Sequence, residues 1–178
     1  MKRLLICVAA VAALLPLGAR ADSKPCLTLG GQSYCRAWSD KNSAMMKTEF
    51  LRAGETVDHW QNMVTVIRYN DVHTIKAAVA NYMQVVSQYL APDARPQWVT
   101  PKDANSNREV ATRLVLSTPD GSDSEYVVAY FKSHPDTPSY AIAFSQHIPL
   151  PSGKTPTMEQ YGNWLKDMRA IDPAAVTR

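Results

Sequence analysis

The sequence predicts an α+β domain: an antiparallel sheet that opens with a disulfide-linked hairpin and carries two main amphipathic helices on its faces. Three observations predict it. Two cysteines flank a Gly-Gly pair in "CLTLGGQSYC" at 26–35, and strand-like segments at 108–117, 124–133 and 139–148 follow one another through short turns. Two stretches, 72–90 and 157–171, place apolar residues at helical spacing. Short, turn-rich connections make consecutive strands antiparallel neighbours, and each amphipathic helix needs an apolar sheet face to bury.

The first segment, "MKRLLICVAAVAALLPLGARA", has Lys2 and Arg3 at its front, an apolar run from Leu4 to Leu17, and the small-x-small ending Ala19-Arg20-Ala21. This is the layout of a secretory signal peptide over residues 1–21, with residues 22–178 forming one globular domain. The run is too short for a membrane anchor, which needs roughly 20 apolar residues. Removing Lys2, Arg3 and Arg20 from nineteen basic residues leaves sixteen, equal to the sixteen acidic ones. A neutral domain gives no electrostatic reason to expect nucleic acid or an anionic membrane as partner. A cleaved signal and the absence of any N-x-S/T acceptor point to a bacterial periplasm or to secretion.

The mature chain keeps Cys26 and Cys35. Gly30-Gly31 is suited to a two-residue hairpin turn, because glycine accepts the positive φ that primed turns require. That turn pairs Leu29 with Gln32, Thr28 with Ser33, Leu27 with Tyr34 and Cys26 with Cys35. The cysteines then fall on a non-hydrogen-bonded pair, with Cα atoms about 4.5 Å apart and within disulfide reach. Residues 47–52 read as a short strand and 62–69, "NMVTVIRY", as a stronger one, since β-branched residues dominate it. Asn70-Asp71 offers an N-cap to a helix with Val72, Ile75, Val79, Tyr82, Met83, Val86 and Leu90 on one face, ended by Pro92. Residues 92–107 read as a loop anchored by Trp98. Thr157 and Gln160 form a capping box ahead of Met158, Tyr161, Trp164, Leu165, Met168 and Ile171, with Pro173 beyond.

This succession of hairpin, "MVTVIRY" strand, long helix, three-strand meander and closing helix is similar to the Mog1/PsbP-like α/β/α sandwich. The phrase "AGETVDHWQNMVTV" resembles a segment in uncharacterised exported bacterial proteins of that architecture. The resemblance implies a non-enzymatic binding or assembly role and carries no ligand residues with it. A cystatin-like sheet wrapped on one helix is the second choice of fold.

Candidate chemistry concentrates in residues 53–61. Glu55 and His59 are four apart and would share a face of a helical turn, with Asp58 beside them and Trp60 turning inward. A lone pair of this kind does not complete a metal shell, so no metal and no cofactor is expected, and the bland reading is a capped connection with His59 in solvent. "PSGKTP" lacks the leading glycine of a phosphate-binding loop, because Ile148 stands at that position. No G-x-S-x-G elbow is present, and Ser145 with His147 reads as a solvent-facing sheet edge. The leading expectation is an exported, non-enzymatic interaction protein, of an accessory, inhibitor or immunity type. It would bind a protein partner through a surface that includes Glu55, Asp58, His59, Trp60 and Trp98. The alternatives are a small-molecule or peptide binder with a pocket between sheet and helix lined by Trp60, Trp98 and tyrosines, and a metal-assisted hydrolase centred on His59.

Overall fold

A computed structural model describes residues 24–100, 107–118, 123–148 and 156–177. The signal-peptide expectation for residues 1–21 lies outside these residues. The elements are β1 (Cys26–Leu29), β2 (Gln32–Lys41), β3 (Met45–Leu51), β4 (Asn62–Tyr69), α1 (Ile75–Val86), β5 (Gln97–Val99), β6 (Glu109–Ser117), β7 (Ser124–His134), β8 (Thr137–His147), α2 (Met158–Ala170) and α3 (Pro173–Val176). All eight strands join one antiparallel sheet in the order β1-β2-β3-β4-β8-β7-β6-β5.

The expected fold class needs correction. Of the described residues 48% are strand and 23% helix, so the chain is a broad antiparallel sheet with little helix to pack on it. It is neither the balanced α/β/α sandwich nor the cystatin-like alternative. Three local differences produce this. β2 continues past Cys35 to Lys41, where "RAWSDK" shows no apolar alternation because the strand is largely solvated and held by pairing to β3. Residues 97–99 pair with β6 inside the expected loop. The first helix begins at Ile75, with the Thr74 hydroxyl accepting from the Ala77 N–H at 3.3 Å. Asn70 is occupied elsewhere, since its side-chain amide donates to the carbonyls of Asn42 and Ser43. The helix gives way at Ser87–Tyr89 to a single 3-10 turn ahead of Pro92.

The hairpin has the register its turn dictates, with Cys26 opposite Cys35 and their Cα atoms 4.0 Å apart in a disulfide. Gly30 and Gly31 take φ of +60° and +73°. The Gly30 N–H donates to Asp167 of α2 at 2.7 Å, and the Trp164 indole lies against the same glycine. One end of the hairpin is thereby held on α2. The capping box of α2 is present, with Thr157 and Gln160 each bonding the other's backbone N–H. Pro173, expected only to end this helix, instead opens the four-residue α3, which Asp172 caps.

The two sheet faces have separate cores. Val64, Val66, Val128, Tyr130, Ile142 and Phe144 point to the α2 side, where Phe144 meets Trp164 at 4.6 Å between ring centres. Val127, Ala129, Phe131, Ala141 and Ala143 point to the α1 side, where Phe131 meets Tyr82 edge-on at 5.2 Å. Alternation along a strand sends successive side chains to opposite faces, so β7 and β8 are buried on both.

Two outcomes are expected from the hairpin. Replacing both cysteines by Ala lowers the unfolding free energy by about 2–3 kcal/mol, because the bridge restricts a short loop of the unfolded chain; urea unfolding of the variant measures it. Gly31→Ala, with open space at the site, costs about 1–2 kcal/mol for the left-handed backbone. Gly30→Ala costs more, since its methyl meets the indole 3.1 Å away, and the order of the two urea midpoints checks this.

Candidate functional site

The α1 helix lies over β6, β7 and β8, whose residues on that face are mostly apolar. The same face of β3 and β4 carries Lys47, Glu49 and Thr65 among Met45, Met63 and Ile67, so a helix would gain less by covering it. Between α1 and the loop 53–61 lies a groove of about 690 Å3. Its volume falls within the ~300–1,000 Å3 typical of small-molecule sites. Tyr82, Val85 and Val86 of α1 form one wall, Val57 and Trp60 stand on the loop side, and Thr65, Ala143 and Ser145 lie on the floor. A smaller pocket of about 310 Å3, lined in part by Tyr89, shares Leu116 and Glu125 with the groove.

The charged groups of the floor fall into two sets. Lys47 Nζ lies 2.6 Å from Glu49 Oε1 and 5.5 Å from the centre of the Trp38 ring. Glu125 sits in β7, part-buried, and burial pushes its carboxyl above the usual carboxylate range. The nearby Asp123 charge adds to that rise, while His147, Lys47 and a hydrogen bond with Ser145 act against it. His147 Nε2 is 3.3 Å from Asp123 Oδ2 and 3.8 Å from Glu125 Oε1. Its Nδ1 lies 2.7 Å from the Trp60 carbonyl oxygen, and its ring stacks on the Trp60 indole at 3.9 Å. The loop-side wall of the groove is therefore tied to the histidine that faces the floor carboxylate.

The residues singled out from the sequence take different places. Glu55 is a staple: its carboxylate accepts from the Arg52 guanidinium at 2.6 Å, from the Arg52 N–H at 3.1 Å and from the Gln61 N–H at 3.0 Å. Burial raises its carboxyl, but these bonds outweigh burial and hold it below the usual range. Residues 56–59 are a tight turn closed by paired backbone bonds between Thr56 and His59, not a helical turn. Asp58 lies at its tip, and Asp58 and His59 are both exposed. Trp60 is half-buried against His147 and lines the groove, whereas Trp98 is 46% exposed on the edge strand β5 and does not. Among the described residues, no group of three or more His, Cys, Asp or Glu is arranged to hold a metal ion.

Ser145 and His147 do not form a solvent-facing edge, because β8 is central, between β4 and β7. The residues that sequence reasoning passed over, Glu125 above all, had a readable signal. Glu125 is in phase with Val127, Ala129 and Phe131, and Ser145 and His147 with Ala141 and Ala143. Polar groups in phase with an apolar sheet face mark a place where that face is not fully covered.

Glu125 generates a pH-dependent stability prediction. A carboxyl raised by folding favours the folded state below its unfolded value and costs stability as pH rises through its folded value. Glu125→Gln is therefore expected to melt higher than the parent at pH 7, with the difference vanishing below about pH 4, where unfolded carboxyls are protonated. Thermal melts of the two proteins across this range check both the sign and the convergence.

No curated protein and no solved structure matches the chain significantly. Residues 22–172, which span all eight strands and the two main helices, match one bacterial protein family, and the chain belongs to that uncharacterised family.

Proposed function

We propose that this protein is exported and acts as a non-enzymatic binding protein that receives its ligand in the groove between α1 and the loop 53–61. The groove itself carries the reading: a concave, largely apolar surface of ligand-sized volume with a few polar groups converging on its floor. Of the expectations drawn from the sequence, this is the small-molecule or peptide binder, with its pocket lined by Trp60, Tyr69 and Tyr82 and without Trp98. Docking of a protein partner on loops 53–61 and 92–107 has less support, because residues 57 and 60 serve as a wall of the groove and Trp98 stands apart on an edge strand. Export is supported by the Cys26–Cys35 bridge, since disulfides persist in oxidising compartments. No helix among the described residues is long and apolar enough to cross a membrane. The family match also starts at residue 22, one position after the expected cleavage point.

Val85 is 53% exposed on the α1 wall. Val85→Arg is expected to leave the melting temperature within about 2 °C of the parent, as for a surface change. Saturable binding of N-phenyl-1-naphthylamine, a neutral apolar fluorophore, is expected to weaken by about tenfold or more. A parent protein that does not bind the fluorophore, or a variant that binds it equally well, would remove the groove from consideration.

A further inference from the structure

We infer that the groove is built for an amphiphile carrying a protonated amine, its ammonium held at Glu125 and Ser145 and its apolar chain lying along α1. This rests on the groove being the binding site and adds the chemistry of the occupant. The argument starts from charge. Lys47 is the only Lys or Arg among the described lining residues, and its ammonium is already engaged by Glu49 and the Trp38 ring. Against it stand Glu49, Glu125 and, at the mouth, Asp71. The remaining basic group nearby, His147, is shared between two carboxylates, Asp123 at 3.3 Å and Glu125 at 3.8 Å. Even a protonated imidazole supplies one positive charge to two negative ones. Glu125 thus shares its nearest base with Asp123, which lies closer to it, and is only partly matched.

Position reinforces the sign. Glu125 lies where the larger groove meets the smaller pocket, so a head group placed there leaves the length of α1 for a chain. Tyr82, Val85, Val86 and Met63 supply apolar surface for that chain. An ammonium at this point would have Glu125 as a charged acceptor and the Ser145 hydroxyl as a neutral one, and charge-assisted bonds of this type are the strong ones. An anionic head group would face the carboxylate with no free Lys or Arg among the described lining residues to meet it. A neutral one would add no charge to the partial compensation that His147, Lys47 and Ser145 give the buried carboxylate.

The test compares decylamine, decanol and decanoate, which share a chain and differ in head group. Each displaces the neutral fluorophore from the full-length mature protein below its micelle concentration. Decylamine is expected to act at roughly tenfold lower concentration than decanol, with decanoate weakest. In Glu125→Gln the ratio of amine to alcohol is expected to fall to near one; thermal melts of the variant show that the change is not loss of fold. Decanoate binding as well as decylamine, or a ratio untouched by Glu125→Gln, would overturn the amine assignment. If all three then weaken together in Val85→Arg, the groove still stands as the binding site. If none displaces the fluorophore and Val85→Arg changes nothing, the groove and the amine fall together.

Discussion

The constraint on which the rest of this structure depends is that β7 and β8 are apolar on both faces. Val127, Ala129 and Phe131 look one way and Val128 and Tyr130 the other, and Ala141 and Ala143 are opposed in the same manner by Ile142 and Phe144. At about 25 cal/mol for each Å2 of apolar surface removed from water, leaving either side wet would cost much of the stability of a domain this size. Each face therefore has to be covered. The hairpin, α2 and α3 close one side, and α1 with the 3-10 turn closes part of the other.

That partial cover is a matter of dimensions. A helix with its side chains is about 10 Å across, and strands stand about 4.8 Å apart, so one helix laid along the strands shields two or three of them. The sheet has eight. On the α2 face the shortfall is made up by the hairpin turn docking through Gly30 on Asp167 and Trp164. On the α1 face nothing equivalent among the described residues lies over β3 and β4, and the polar residues Lys47, Glu49 and Thr65 occupy that ground. The groove is the gap that remains, with the loop 53–61 as its far wall.

The loop illustrates how a reactive-looking sequence is used structurally. Glu55 takes four hydrogen bonds at the base of the loop, which fixes the turn and places Trp60 over His147. His147 in turn links the loop to β7 through Asp123 and Glu125. A charge at the groove floor and the position of its wall are thereby parts of one connected set of contacts. The cost sits at Glu125, whose carboxyl is held where burial disfavours its charge; such unfavourable placements are commonest where a protein binds or reacts.

Much of the fold was legible because it rests on local chemistry. Gly30-Gly31 set a two-residue turn, the turn set the register, and the register brought Cys26 to Cys35. Thr157 and Gln160 marked the start of α2 through backbone groups within one turn. The β-branched run of β4 and the short links among β6, β7 and β8 were equally local signals. Strand β2 beyond Cys35 and strand β5 were not legible, since each is held by hydrogen bonding to a neighbouring strand and keeps mostly exposed side chains with no apolar alternation. The balance of strand over helix was missed for the same reason. The full site depended on tertiary placement: Glu125, Ser145 and His147 come together within the β7–β8 hairpin, but Trp60 reaches them only because β8 inserts between β4 and β7. By itself the sequence determined the turns, caps and covalent bridge, because these need only residues close along the chain. Only the tertiary structure decided which apolar faces were covered and which charges met, because both depend on strand order and on how far a single helix reaches.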